Sequence, residues 1–149
     1  MDETIKAKII QEFSKIDLLL EKSALMVVKC KAQKPDFYDL NAIGSIIHSY
    51  YNGIESIFVL IYKSFNSMPL NGNMWHRDLL NEMLSETDVH KKILAEELRT
   101  PLKEYMGFRH VFRHSYGYEL DWERLEPLFF GMTENWTQVK SCLKNIIEM

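Results

Sequence analysis

Glycine and proline are scarce in this 149-residue chain, six and four in number. A turn-rich all-β architecture needs both at regular intervals, so that class is excluded. Only two cysteines occur, Cys30 and Cys142, and their spacing matches no metal motif. A disulfide between them is the alternative to two reduced thiols in a cytosolic protein, and the thiols are the expectation. Long apolar runs are missing as well. The longest, Ile54 to Ile61, is interrupted by Glu55 and Ser56 and cannot span a bilayer. Met1 to Lys8 mixes charges from the start and has no apolar stretch of a secretion signal, so a cytoplasmic location is expected. Nor does one sign of charge dominate. The net charge of −3 gives no broad electrostatic grip on nucleic acid, so any contact with RNA must use a local patch.

What is present is a composition that packs: 46% hydrophobic and 26% charged residues, which suits a single domain over residues 1–149. Apolar residues recur at three- and four-residue steps, the signature of helices. In the first stretch these are Ile5, Ile9, Phe13, Ile16, Leu20, Ala24 and Val27, followed by Lys29, Lys31 and Lys34 and then the stop at Pro35. The second stretch opens after Asp36 or Asp39, either a good N-cap. It runs through Leu40, Ile43, Ile47, Tyr51, Ile54, Phe58, Ile61 and Phe65, and residues 66–73 read as a loop.

A short helix is expected from Trp75 to Ser85. Leu94, Leu98, Leu102, Tyr105, Arg109, Phe112 and Tyr116 trace the next face, with Pro101 inside it. The helix either kinks there or restarts with Thr100 as N-cap. Because the stripe keeps phase, a largely continuous helix is expected, ending near Gly117. A last helix runs from about Asp121 to the end, bent in its first turns by Pro127. The fold class is therefore all-α, an antiparallel bundle of four long helices plus a short one.

Chemistry concentrates in Arg109-His110-Val111-Phe112-Arg113-His114-Ser115-Tyr116. Residues four apart are neighbours on a helix, so Arg109 and Arg113 share one stripe and His110 and His114 the next. Arginine forks suit phosphate oxygens, and histidine moves protons near neutrality. Together they are what phosphodiester cleavage without a metal or cofactor needs. A base takes the ribose 2′-hydroxyl proton, an acid protonates the leaving 5′-oxygen, and an arginine stabilises charge on phosphorus. A solvated or capping role for these side chains is the plain alternative. A zinc site on His110 and His114 would lack the glutamate of H-E-x-x-H and need Glu119 or His76 as a third ligand, so none is expected. Gly107, in mid-helix, suggests the close approach of another backbone.

Arg109, His114 and Tyr116 spell R-x4-H-x-Y. With that motif, the chain from about residue 10 to 145 resembles the HEPN superfamily, and more narrowly the HepT-like ribonuclease toxins. The words from Gly107 to His114 and from Gly117 to Glu123 look like one branch of that group, and Tyr50 to Glu55 and Trp75 to Leu80 point the same way. The resemblance implies a metal-independent endoribonuclease acting as a symmetric homodimer, with Arg109 and His114 catalytic. It also implies a minimal nucleotidyltransferase (MNT-type) antitoxin as partner, which silences the toxin by placing AMP on Tyr116. His110 and Arg113 occupy the variable interval of the motif, so their supporting or RNA-binding role rests on their chemistry alone.

Helical geometry adds a modest argument for the dimer. Arg109 and His114 stand about 140° apart around a straight helix, which makes one phosphate hard for both to reach unless the helix breaks near His114. An isologous pair brings two ridges face to face and supplies two motif histidines. The remaining polar features read as blander. Asn41, Ser45, His48, Asn52 and Glu55 form a stripe expected to be solvated, otherwise a wall of the cleft. Trp75 and His76 are expected to pack or cap. The functional alternative to the enzyme is a non-catalytic HEPN binding module that partners the nucleotidyltransferase.

Overall fold

A computed structural model describes residues 1–148, and among them six α-helices and no strands are found. Helix α1 (Glu3–Ala32) is capped by Asp2, whose carboxylate accepts from the Thr4 amide at 2.7 Å. Pro35 lies between it and α2 (Phe37–Phe65), where Asp36 and Asp39 settle the choice of N-cap by forming a reciprocal capping box. Lys29 reaches across this corner to Asp39 at 2.9 Å, which raises the lysine and lowers the carboxyl from their ordinary values.

Helix α2 is the axis of the molecule, packing against α1 and three later helices: α3 (Trp75–Met83), α4 (Arg99–His114) and α5 (Trp122–Phe130). Ile43, Ile47, Tyr50, Tyr51, Ile54, Ile57, Phe58 and Ile61 are all fully buried, so its apolar residues cover most of its circumference rather than one stripe. Helix α6 (Met132–Ile147) closes the structure. Its Trp136 indole and Lys140 ammonium both donate to Asp17 of α1 at 2.8 Å, and its Asn135 accepts from the buried Tyr50 hydroxyl at 2.6 Å.

Two of the four long helices expected from periodicity are shorter than expected. Leu94 is not helical. It sits in the chain between α3 and α4, its amide bonded to the Met83 carbonyl at 2.9 Å, and only a 3₁₀ turn (Glu96–Leu98) precedes α4. Pro101 therefore falls in the first turn of α4, where its missing N–H would be unpaired in any residue, and no kink is required. The apolar phase across the proline is kept because Leu94 and Leu98 still face the core, although Leu94 does so from a loop.

The C-terminal helix is divided at Gly131 rather than bent near its start. A Cβ there would lie 2.9 Å from the Pro127 carbonyl oxygen. The Tyr105 hydroxyl donates to the Leu128 carbonyl at 2.6 Å, the acceptor that a continuous helix would offer to Met132. Cys30 and Cys142 are free thiols, and no helix among the described residues is long and apolar enough to cross a membrane.

Candidate functional site

Helix α4 ends at His114, and Ser115 is already extended (φ −109°, ψ 148°). The break falls two residues ahead of Gly117, which instead opens a 3₁₀ turn (Gly117–Glu119). That turn is seated on α2. Asn41 donates to the Phe37 carbonyl at 2.8 Å and lies so close to Gly117 that a Cβ there would strike its amide. Higher up, the Phe112 ring packs on Gly44. The close approach that a glycine permits is thus at Gly44, not Gly107, where a Cβ would meet nothing within 4 Å.

Arg109, His110, Arg113 and His114 line one open cleft of about 290 Å³, together with Gly107 from α4, His76 and Arg77 from α3, and Asn73 from the loop before it. Arg109 and His114 therefore border the same space in a single chain. Their angular separation does not keep them apart. His110 and His114 stand side by side with ring centroids 4.5 Å apart. Tyr116 lies outside the cleft lining, beyond the helix end. It is 70% exposed, and its ring is parallel to that of Tyr118 at 5.5 Å.

Arg109 is held from behind by residues that periodicity assigned to a solvated face. Its Nε donates to Asn52 Oδ1 at 3.0 Å. Arginine can only donate, so the Asn52 amide is oriented, and its Nδ2 donates to His48 Nε2 at 3.0 Å. His48 thus accepts at Nε2, carries its proton on Nδ1 and is neutral. Burial first, then Arg109 and Arg113, push its pKa below the ordinary value of 6.5. The unfolded chain takes that proton more readily than the folded one. This contribution to stability is complete above pH 6.5 and declines as the pH falls below it. His48→Leu should flatten that decline, measured as the change in urea midpoint between pH of about 7.5 and 5.5.

The other support is His76. Its Nδ1 is 2.8 Å from Oε2 of Glu55, a carboxylate only 7% exposed. Arg109 Nη1 is 3.3 Å from Nδ1 and 3.1 Å from Nε2 of the same ring. An atom at those two distances cannot lie in the ring plane, where it would collide with Cε1, so the guanidinium sits over the imidazole face. Trp75 covers the ring with centroids 3.6 Å apart and must use the opposite face. Glu55 supplies the buried negative charge that Arg109 needs nearby, with His76 between them. Arg109 Nη2 has no protein hydrogen bond among the described residues.

Asn52, Glu55 and His76 were legible only in outline. The signals were the polar stripe through Asn52 and Glu55, for which a cleft wall was the alternative to a solvated face, and Glu55 as a carboxylate inside the longest apolar run of the chain. Among the described residues no three histidine, cysteine or carboxylate side chains converge on a metal position.

The sequence model of a family described as HepT-like protein matches residues 42–149, from the first turns of α2 onward and including every residue of the cleft. The chain belongs to the HepT-like protein family. Comparison with curated proteins and with solved structures finds no match. Helix α1 precedes the matched region of this HepT-like chain, and its contribution is to cover α2 and clamp α6 through Asp17.

Proposed function

We propose that this HepT-like chain is a metal-independent endoribonuclease of toxin type, working as a cytoplasmic homodimer and silenced by a nucleotidyltransferase antitoxin. The observation that carries the reading is the convergence of Arg109, Arg113, His110 and His114 on one cleft, with Arg109 anchored by Asn52 and His76. In this reading Arg109 and Arg113 hold the scissile phosphate and its developing charge. His114 transfers a proton during displacement of the 5′-oxygen by the ribose 2′-hydroxyl. The exposed His110–His114 ridge leaves room for a second copy to complete the groove.

Tyr116 fits the part of AMP acceptor because its hydroxyl is on the surface, past the end of α4. The antitoxin would move AMP from ATP to the tyrosine oxygen: an O–P bond forms, pyrophosphate leaves and the phenol proton is lost. The added phosphodiester is negative and bulky, and it would engage the arginines and repel an RNA phosphate.

Purified protein in EDTA should cleave RNA, and His114→Ala should lose about 10²–10⁴-fold of that rate. A wild type that cleaves nothing and does no harm to growth ends the enzyme reading. The non-catalytic HEPN module, which the net charge of −3 favours, would then stand. Co-expression with a nucleotidyltransferase should add AMP mass to the wild type and none to Tyr116→Phe. AMP on another residue would remove the proposed switch.

A further inference from the structure

Cleavage by proton transfer needs two groups, one to take the 2′-hydroxyl proton and one to supply a proton to the leaving oxygen. R-x4-H-x-Y contains a single histidine. Besides His114 and its neighbour His110, a third histidine lies in the same cleft of the same chain, on α3 and outside the motif. We infer that His76, oriented by Glu55, is the general base of this site, and that His114 is its acid. The inference rests on the ribonuclease reading.

Three observations separate His76 from the other histidines. Its Nδ1 is bonded to a buried carboxylate at 2.8 Å, so Nδ1 carries the proton and Nε2 presents a lone pair in the ring plane. The ring is clamped between Trp75 and the Arg109 guanidinium, so that lone pair has a fixed direction. Because the guanidinium sits over the face, it does not occupy the lone pair. His76 retains 24% of its side-chain exposure and lines the cleft, so the ring is within reach of a substrate there. The carboxylate–imidazole pair is the arrangement that holds a base in the right tautomer and stabilises the imidazolium it becomes. By contrast, His110 has the His114 ring as its aromatic neighbour among the described residues, and His48 spends its Nε2 on Asn52.

His76 Nε2 removes the 2′-hydroxyl proton, the 2′-oxygen bonds to phosphorus, and the P–O5′ bond breaks. His114 gives its proton to the 5′-oxygen, yielding a 2′,3′-cyclic phosphate and a free 5′-hydroxyl. Proton exchange with water resets both rings. Arg109 then has two neighbours in the reaction, the phosphate on one side and the base on the other.

A leaving-group comparison tests the assignment. The full-length protein is assayed on a uridylyl-adenosine dinucleotide and on uridine 3′-(4-nitrophenyl) phosphate, whose leaving group needs no acid. His114→Ala should lose about 10²-fold or more on the dinucleotide and little on the nitrophenyl ester. His76→Ala should lose about 10²-fold on both, in kcat rather than KM, with partial rescue by added imidazole. Glu55→Gln keeps an acceptor for Nδ1 but no charge, and should lose about tenfold on both substrates. It also serves if His76→Ala does not fold.

Full activity of Glu55→Gln overturns the assignment. So does a His76→Ala protein that still cleaves the nitrophenyl ester, or one whose loss is confined to KM, since the ring would then only position Arg109. A wild type inactive on both substrates ends the ribonuclease reading and this assignment with it. That result is distinct from an active wild type indifferent to His76.

Discussion

Arg109→Ala is expected to lower RNA cleavage by about 10²–10³-fold, the usual cost of removing one donor aimed at developing negative charge. The more informative variant is Arg109→Lys. Lysine keeps the charge but cannot donate to Asn52 through an Nε while laying a planar group on the His76 ring, and both contacts define where the guanidinium points. Arg109→Lys should therefore fall close to Arg109→Ala. Asn52→Ala, which leaves the guanidinium and removes one anchor, should lose about tenfold. Single-turnover rates at saturating protein separate this loss of orientation from weaker substrate binding. A lysine variant within about threefold of wild type would mean that charge alone matters and the anchoring network is incidental.

The second large effect concerns two mid-helix glycines, Gly44 and Gly107. A Cβ at Gly44 would stand 2.8 Å from Cε1 of Phe112 and 3.2 Å from Cδ1 of Leu120, side chains that fix α4 and the chain after it against α2. Gly44→Leu should destabilise by about 1–3 kcal/mol or more through overpacking. It should also cost activity below the unfolding temperature, because α4 carries the cleft. Gly44→Ala gains about 1 kcal/mol of helix propensity, which offsets part of the clash, so its net effect should be small. Gly107→Ala meets nothing and should stabilise by up to about 1 kcal/mol. Urea denaturation of the three variants is the measurement. A Gly44→Leu protein as stable as wild type would show that the α2–α4 contact yields easily.

The order of helices and most of their limits follow from local rules, and those are readable along the chain. The Asp2 and Asp36 caps, the stop at Pro35 and the apolar steps of α2 act between residues a few positions apart. The family and the motif residues Arg109, His114 and Tyr116 were likewise legible, since they lie within eight consecutive positions. What failed were inferences that needed a partner. Periodicity kept its phase through Leu94 because a loop residue buried by long-range packing looks the same as a helical one. Gly131 divides the last helix with the help of Tyr105, 26 residues away.

The segment from Arg109 to His114, readable from the outset, proves to be only the front of the cleft, and Tyr116 lies beyond it. Sequence spacing determined that two arginines and two histidines would share one helix surface. It could not determine that α2 stands behind them, because the polar stripe through Asn52 and Glu55 has the same period whether it faces water or a guanidinium. Burying Arg109 beside Glu55 requires His76, brought by α3 from 33 positions upstream. That pairing exists only once the core has closed, and with it the direction of Arg109 and the third histidine of the site.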